Sequence, residues 1–178
     1  MQKTKEMCLC ALFTALMCAG AFLKIPTPFL PITFQTLFVT LAGLLLGEKR
    51  GSLSVGVYVL IGLLGIPVFT EGGGFSYVLK PTFGYLLGFI AGAFVTGKIA
   101  KKETSLKNYI FSSFAGMFVI YIIGVTYYFL ISRFYLGNET EIKNLLVYCF
   151  LLTLPGDVIM CLIASVIGKR LKKVLKQF

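Results

Sequence analysis

The sequence predicts an all-α integral membrane protein with six transmembrane helices and both termini in the cytoplasm. Hydrophobic residues make up 57% of the 178 residues and charged residues only 13%, whereas about a quarter of a soluble domain is charged. The apolar residues also fall into six runs, which are Met7 to Leu23, Phe34 to Gly47, Leu53 to Phe69, Phe83 to Gly97, Tyr109 to Ser132 and Leu145 to Gly168. No linker or low-complexity tract separates these runs, so residues 1–178 are expected to form a single membrane domain.

The lengths of the runs suit helices that cross a bilayer. A helix rises ~1.5 Å per residue, so the 17 residues of the first run reach ~26 Å, and the 24 residues of each of the last two can span with tilt. The second run has 14 residues and must borrow flanking residues or be partly buried. The first run is longer than a typical signal-peptide core and lacks a convincing A-x-A cleavage pattern, which favours a retained helix.

Basic residues distinguish the two sides of the membrane. Cytoplasmic loops carry the excess of Lys and Arg, and six helices place both termini on one side. Thirteen of the 17 basic residues fall on the terminus side, and the other four are Lys24, Lys80, Arg133 and Lys143. The connections GEKRGS and GKIAKKETSLKN are interpreted as headgroup anchors, and docking to a cytoplasmic partner is the alternative. The net charge of +10 is therefore attributed to the membrane and not to nucleic acid.

A stretch rich in Gly and Pro, Gly62 to Phe89, interrupts the apolar runs on the predicted outer side. Its three consecutive glycines, residues 72–74, let the backbone approach a ligand closely. A flexible surface turn is the alternative, because Gly and Pro are common in loops of every kind. The preceding outer connection, Lys24 to Thr33, contains three prolines that favour a stiff extended path, so it is expected to form a lid or wall beside the glycine loop.

Asp157 is the most informative single residue. It is the 13th of the 24 residues of the last run and follows Pro155 and Gly156. A carboxylate near membrane depth is costly unless it is paired or hydrated, so the position predicts a ligand-binding group that faces the bundle interior. The alternative is an Asp that caps a helix broken by Pro155.

Small residues recur at four-residue intervals in the first run, at Ala11, Ala15 and Ala19. Such a stripe lets helices approach closely, either within the bundle or against another membrane protein. The stripe alone leaves both interpretations open.

Catalytic and metal-binding signatures are absent from the sequence. It contains no His, HExxH, GxSxG, P-loop or dinucleotide-binding GxGxxG motif, and its five cysteines form no CxxC pair. We therefore expect no enzymatic activity, no metal and no cofactor, and a self-contained ATP-driven pump is excluded.

Several stretches together resemble the BioY family, the biotin-specific substrate-binding (S) subunits of energy-coupling factor (ECF) transporters. They are the Ala-rich first run, KIPTPFLPITFQTLFVTLAGLLLG at Lys24 to Gly47, the stretch Gly62 to Phe89, and LPGD at Leu154 to Asp157. The resemblance implies a six-helix protein in the plasma membrane of a prokaryote. It further implies that the protein binds biotin from outside and associates with a membrane scaffold (T) subunit and two ATPases.

The resemblance also implies roles for particular residues. Asp157 would accept the ureido N–H groups of biotin, aromatic rings would pack on its fused ring, and Gln35 and Thr36 would bond from the lid side. The substrate-binding residues expected on this basis are Gln35, Thr36, Gly73, Gly74, Phe75, Tyr77, Lys80, Thr82, Tyr85 and Asp157. The stripe of Ala11, Ala15 and Ala19 would meet the scaffold subunit.

Two departures from the family pattern bear on the site. Met160 stands where many members carry a lysine, three residues after the aspartate, and Lys80 and Phe83 stand where glycine is common. We therefore expect Lys80 to replace the missing positive charge, facing either Asp157 or the ligand carboxylate; a substrate somewhat different from biotin is the alternative.

Two other classes of function are alternatives to a biotin-binding S subunit. The first is a small transporter or channel that works without ATPases, on biotin or a related small carboxylate. The second is a membrane-embedded enzyme using Asp157, which is disfavoured because no second acid, nucleophile or metal cluster accompanies it.

Overall fold

A computed structural model describes residues 2–25, 32–101, 105–135 and 153–175. Within these ranges the chain is helical apart from short connections and one two-stranded antiparallel pair, so the predicted all-α class is confirmed. The elements are α1 (Gln2–Phe22), β1 (Lys24–Ile25), β2 (Ile32–Thr33), α2 (Gln35–Leu63), a 3₁₀ helix (Phe75–Leu79), α3 (Phe83–Ala100), α4 (Leu106–Phe134) and α5 (Leu154–Leu175).

Three of the described helices are long and apolar enough to cross a membrane, and they are Lys3–Phe22, Phe83–Ala100 and Leu106–Phe134. Helix α5 covers the second half of the sixth apolar run, and residues 145–152 of that run lie outside the described residues. The predicted proline lid also lies largely outside them, at residues 26–31.

Helix α2 is a hairpin of two helical arms, residues 35–46 and 48–63, joined at Gly47. Gly47 has φ 82° and ψ −178°, a conformation that only glycine adopts readily. The Gln35 side chain donates to the Tyr58 hydroxyl at 2.7 Å, although a straight helix would separate residues 23 apart by ~35 Å. The second and third predicted runs are therefore antiparallel neighbours, and the charged segment between them forms the end of the hairpin.

Replacing Gly47 with Ala is expected to destabilise the protein by about 1 to 3 kcal/mol, because a side chain is strained in this backbone conformation. A Cβ at Gly47 would meet no atom within 4 Å, so the strain would come from the backbone alone. Gly56→Ala is the matched control, since Gly56 lies in the second arm, does not have positive φ, and a Cβ there would also meet no atom within 4 Å. Thermal unfolding in detergent should show a lower midpoint for the first variant only. Equal midpoints for both variants would contradict the hairpin geometry.

Helix α3 lies between α2 and α4, and glycines allow it to approach both closely. A Cβ at Gly88 would lie 2.8 Å from the Ile120 carbonyl of α4, and one at Gly43 would lie 2.7 Å from the Ala93 carbonyl of α3. Helix α5 packs against α2 and α4, and α1 packs on α2. The first turns of α2, α3 and α5 consequently meet at one end of the bundle, and the basic end of the α2 hairpin lies at the other.

The loop after α2 begins earlier than predicted, because α2 ends at Leu63 and not at Phe69. The ring of Phe69 packs directly on Gly62, and the Gly74 N–H donates to the Gly62 carbonyl at 2.7 Å. Gly72 and Gly74 both have positive φ, at 107° and 105°. The glycines of this loop thus fold it back onto the end of α2.

Candidate ligand-binding site

A cavity opens at the end of the bundle where α2, α3 and α5 begin. It encloses ≈ 610 Å³ of empty space, including its open mouth. Its wall combines hydroxyl, amide and carboxyl groups with apolar side chains. The residues that line it are Thr33, Gln35, Thr36, Thr70, Tyr77, Thr82, Tyr85, Leu86, Phe89, Met117, Ile120, Tyr121, Thr153 and Asp157.

The convergence of three helix starts gives this cavity a positive backbone environment. Gln35 and Thr36 lie in the first turn of α2, Tyr85 in the first turn of α3, and Asp157 in the first turn of α5. Helix N-termini carry partial positive charge from their unpaired N–H groups, which stabilises a nearby carboxylate.

Asp157 lies in the first turn of α5, because this helix begins at Leu154, partway along the sixth apolar run. The Asp157 N–H donates to the Thr153 carbonyl at 3.1 Å. Pro155 suits this first turn, where its missing N–H is no loss. The carboxylate still faces the bundle interior, as predicted, because it lines the cavity.

Hydroxyl groups hold the Asp157 carboxylate. The Tyr121 hydroxyl of α4 donates to its Oδ2 at 2.6 Å, and the Thr36 side chain is a second hydrogen-bond partner. The Tyr121 hydroxyl also lies 2.8 Å from the Thr153 hydroxyl, and its ring meets that of Tyr85 edge-on at 6.2 Å. Asp157 carries the one formal charge among the described residues that line the cavity. The site therefore presents a fixed hydrogen-bond acceptor of negative charge.

Two other polar groups are placed to meet a ligand. Gln35 is fixed by Tyr58, whose hydroxyl in turn donates to the Val68 carbonyl at 3.1 Å. The Thr82 hydroxyl is buried and has no hydrogen-bond partner in the part of the chain that the structure describes. A buried hydroxyl without a partner costs about 1 to 3 kcal/mol, so a ligand that bonds to it recovers that energy.

The structure brings six of the ten predicted binding residues to this cavity, and they are Gln35, Thr36, Tyr77, Thr82, Tyr85 and Asp157. The other four lie outside its wall. Phe75 is 79% exposed, and Gly73 lies against the carbonyl of Ile66 within its own loop. Gly74 begins the 3₁₀ helix.

Lys80 does not supply a charge to Asp157. Its ammonium group pairs with the Glu71 carboxylate at 2.9 Å and lies 5.0 Å from the centre of the Tyr77 ring. The carboxylate of Asp157 instead takes its bonds from the hydroxyls of Tyr121 and Thr36. The expectation that Lys80 faces Asp157 is therefore wrong.

The cavity also contains residues that sequence reasoning missed. They are Thr33, Thr70, Leu86, Phe89, Met117, Ile120, Tyr121 and Thr153. Thr33 and Thr70 are small hydroxyl residues within the Pro-rich and Gly-rich segments, and that position is the available signal. Tyr121 lies within a long apolar run, and nothing in the sequence distinguishes it there from the other tyrosines of α4.

The alanine stripe of α1 faces away from the bundle. Ala11, Ala15 and Ala19 are all exposed, whereas Phe13 and Met17 are buried against α2. An apolar groove runs beside the stripe, between α1 and the second arm of α2, and holds ≈ 1310 Å³ of empty space when the open solvent at its mouth is included. Packing inside the bundle is therefore not the role of the stripe.

Comparison with known proteins gives a consistent result. The family model described as "BioY family" matches residues 1–177. The chain is 38% identical over 177 residues to a probable biotin transporter BioY of Lysinibacillus sphaericus, covering 98% of this chain and 90% of that protein. It is 40% identical over 163 residues to the biotin transporter BioY of Thermotoga maritima, covering 91% and 92%.

A solved structure has the same fold along nearly the whole chain. It is the crystal structure of the S-component for biotin from an ECF-type ABC transporter, which is 30% identical and superposes with a TM-score of 0.75. The match covers 97% of this chain and 93% of that one. On the full-length family match, the identities above 30% and this structural likeness, the chain belongs to the BioY family.

Proposed function

We propose that the protein binds biotin in the cavity at the start of α2, α3 and α5 and serves as the S component of an ECF-type transporter. The observation that supports this most directly is a single carboxylate, Asp157, set among hydroxyl groups and apolar side chains. Biotin presents two ureido N–H donors and one carbonyl acceptor on an apolar fused ring. A carboxylate in a site of low dielectric forms strong, charge-assisted bonds with such donors.

Other lining residues complement the ureido carbonyl and the fused ring of biotin. The unpartnered Thr82 hydroxyl can donate to the ureido carbonyl, which no carboxylate can do. Phe89, Met117 and Ile120 offer apolar surface for the fused ring and its thioether. The ureido group and the fused ring thus each have partners of suitable chemistry on the cavity wall.

The proposed topology has six membrane-spanning helices, with both termini in the cytoplasm of a prokaryotic cell and the cavity facing outward. It is supported by the position of the basic residues, because the end of the α2 hairpin and the C-termini of α3 and α5 lie opposite the cavity. Cytoplasmic ends of membrane helices carry the excess of Lys and Arg.

The proposed partners are an ECF scaffold subunit and two ATPases, and the docking surface on this chain is the exposed stripe of Ala11, Ala15 and Ala19. Small residues permit close helix approach in a membrane, where apolar surface alone gives little driving force. The flanking groove supplies additional apolar surface for a partner helix.

The test is direct titration of the purified chain with biotin in detergent, together with mass spectrometry of any small molecule that copurifies. We expect one biotin to bind per chain without any partner protein, and biotin to be the molecule recovered. Recovery of another compound, combined with no response to biotin, would reject the assignment.

Tyr121→Phe is expected to weaken biotin binding by about tenfold, because it removes a donor to the carboxylate that receives the ligand. The ring stays in place, so its packing on Tyr85 is kept. Tyr109→Phe is the control: its hydroxyl has no partner among the described residues, and its ring lies near Gly168, at the far end of the bundle. Titration of both variants with biotin should show weaker binding in Tyr121→Phe alone. Wild-type affinity in Tyr121→Phe would show that the Tyr121 hydroxyl does not contribute to ligand binding.

A further inference from the structure

The described residues of the cavity lining offer no positive charge to the carboxylate of the proposed ligand. The described lining residues carry one formal charge, the negative charge of Asp157, and the tail of biotin ends in a second carboxylate. Two like charges in a poorly solvated site repel each other strongly. The tail carboxylate is therefore expected to lie away from Asp157, and a cation at the cavity mouth would stabilise it there.

Lys80 is poorly suited to that task. Its ammonium group is already neutralised by Glu71 at 2.9 Å, and both side chains are about half exposed to solvent. A ligand carboxylate at Lys80 would have to displace Glu71 or lie beside its negative charge.

Lys24 lies at the mouth of the cavity and is held against both of its walls. The β1–β2 pairing sets Lys24 opposite Thr33, which lines one wall. The Lys24 ammonium group donates to the backbone carbonyl of Thr70, a residue of the other wall. The Thr70 hydroxyl lies 3.2 Å from the Tyr77 hydroxyl. The ammonium group thus bridges the two loops that border the opening.

The Lys24 ammonium group can donate further hydrogen bonds to a ligand. It has three N–H donors, and Thr70 uses one of them. No carboxylate lies within 4 Å of it in the described ranges, and residues 26–31 of the adjoining segment, PTPFLP, contain no acid.

We propose that Lys24 forms an anion subsite at the mouth of the cavity, which binds the carboxylate of the ligand tail while Asp157 binds the ureido end. The proposal rests on the proposed biotin function. It divides recognition between two opposite charges, one deep and one at the rim. It also specifies the ligand class more narrowly, as an elongated molecule with N–H donors at one end and an anion at the other.

The experiment compares biotin with biotin methyl ester, which keeps the ring and tail but lacks the negative charge. For Lys24→Gln we expect an affinity for biotin about tenfold weaker than that of the wild type, the effect of losing one charge-assisted bond. The affinity for the ester should be unchanged. Lys24→Arg should restore biotin binding, and Lys80→Gln, the matched control at the same opening, should bind both ligands as the wild type does.

The outcomes separate the anion subsite from the biotin function. Undiminished biotin affinity in Lys24→Gln overturns the subsite, and so does an equal loss for biotin and ester, which would show that Lys24 only holds the two loops together. A wild-type protein that binds neither ligand overturns the proposed function, and the subsite with it.

Discussion

Replacing Asp157 with Asn is expected to weaken biotin binding by one to two orders of magnitude. Asn has the same shape and still accepts a bond from Tyr121, so the fold and the cavity should be retained. What is lost is the negative charge, and hydrogen bonds to charged groups contribute about 1.5 to 3 kcal/mol each. The amide would also present its own N–H donors toward those of the ureido group.

Glu71→Gln is the matched control for this variant, because it makes the same chemical change at an exposed acid whose partner is Lys80. Isothermal titration should show near wild-type affinity for the control and a large loss for Asp157→Asn, with similar unfolding temperatures. Equal affinities in the two variants would mean that the Asp157 carboxylate does not contact the ligand.

Replacing Ala15 with Trp is expected to reduce biotin uptake by whole cells to background while the purified chain binds biotin normally. The position is exposed on the outer face of α1, so the indole does not disturb the bundle. The indole would, however, prevent a partner helix from packing closely on the stripe. Close approach is the reason that small residues favour helix contacts in membranes.

Leu130→Trp is the control for bulk at an exposed membrane position, since Leu130 is 45% exposed and lies on α4. Helix α4 packs against α3, α5 and α2. Copurification with the ECF scaffold subunit should be lost in Ala15→Trp only. Uptake that persists in Ala15→Trp would favour the alternative of a transporter that works without ATPases.

The sequence predicts the all-α class because apolar runs and glycine positions act locally. Gly47 ends the second apolar run, and the structure reverses the chain at that residue. The start of α5 is also encoded locally, by Pro155 two residues after Thr153, whereas the apolar run around it continues without a break in hydrophobicity. Run length alone therefore does not show that Asp157 lies in the first turn of its helix.

The contacts between helices were much harder to predict, because they depend on which face each helix turns inward. Tyr121 and Asp157 are 36 residues apart in sequence, so no local pattern predicts their contact. The partner of Lys80 was nearer in sequence, at Glu71, and charge pairing of neighbours in one loop could have suggested it. The contact of Lys24 with Thr70 joins residues 46 apart in sequence, so no local pattern predicts it.

The crystal structure of the chain with biotin bound would test the central claim most directly. We expect the ureido N–H groups within hydrogen-bonding distance of the Asp157 carboxylate, the fused ring against Phe89 and Met117, and the tail carboxylate near Lys24. Biotin bound in the groove beside α1, or bound in the cavity with its carboxylate toward Asp157, would contradict this account.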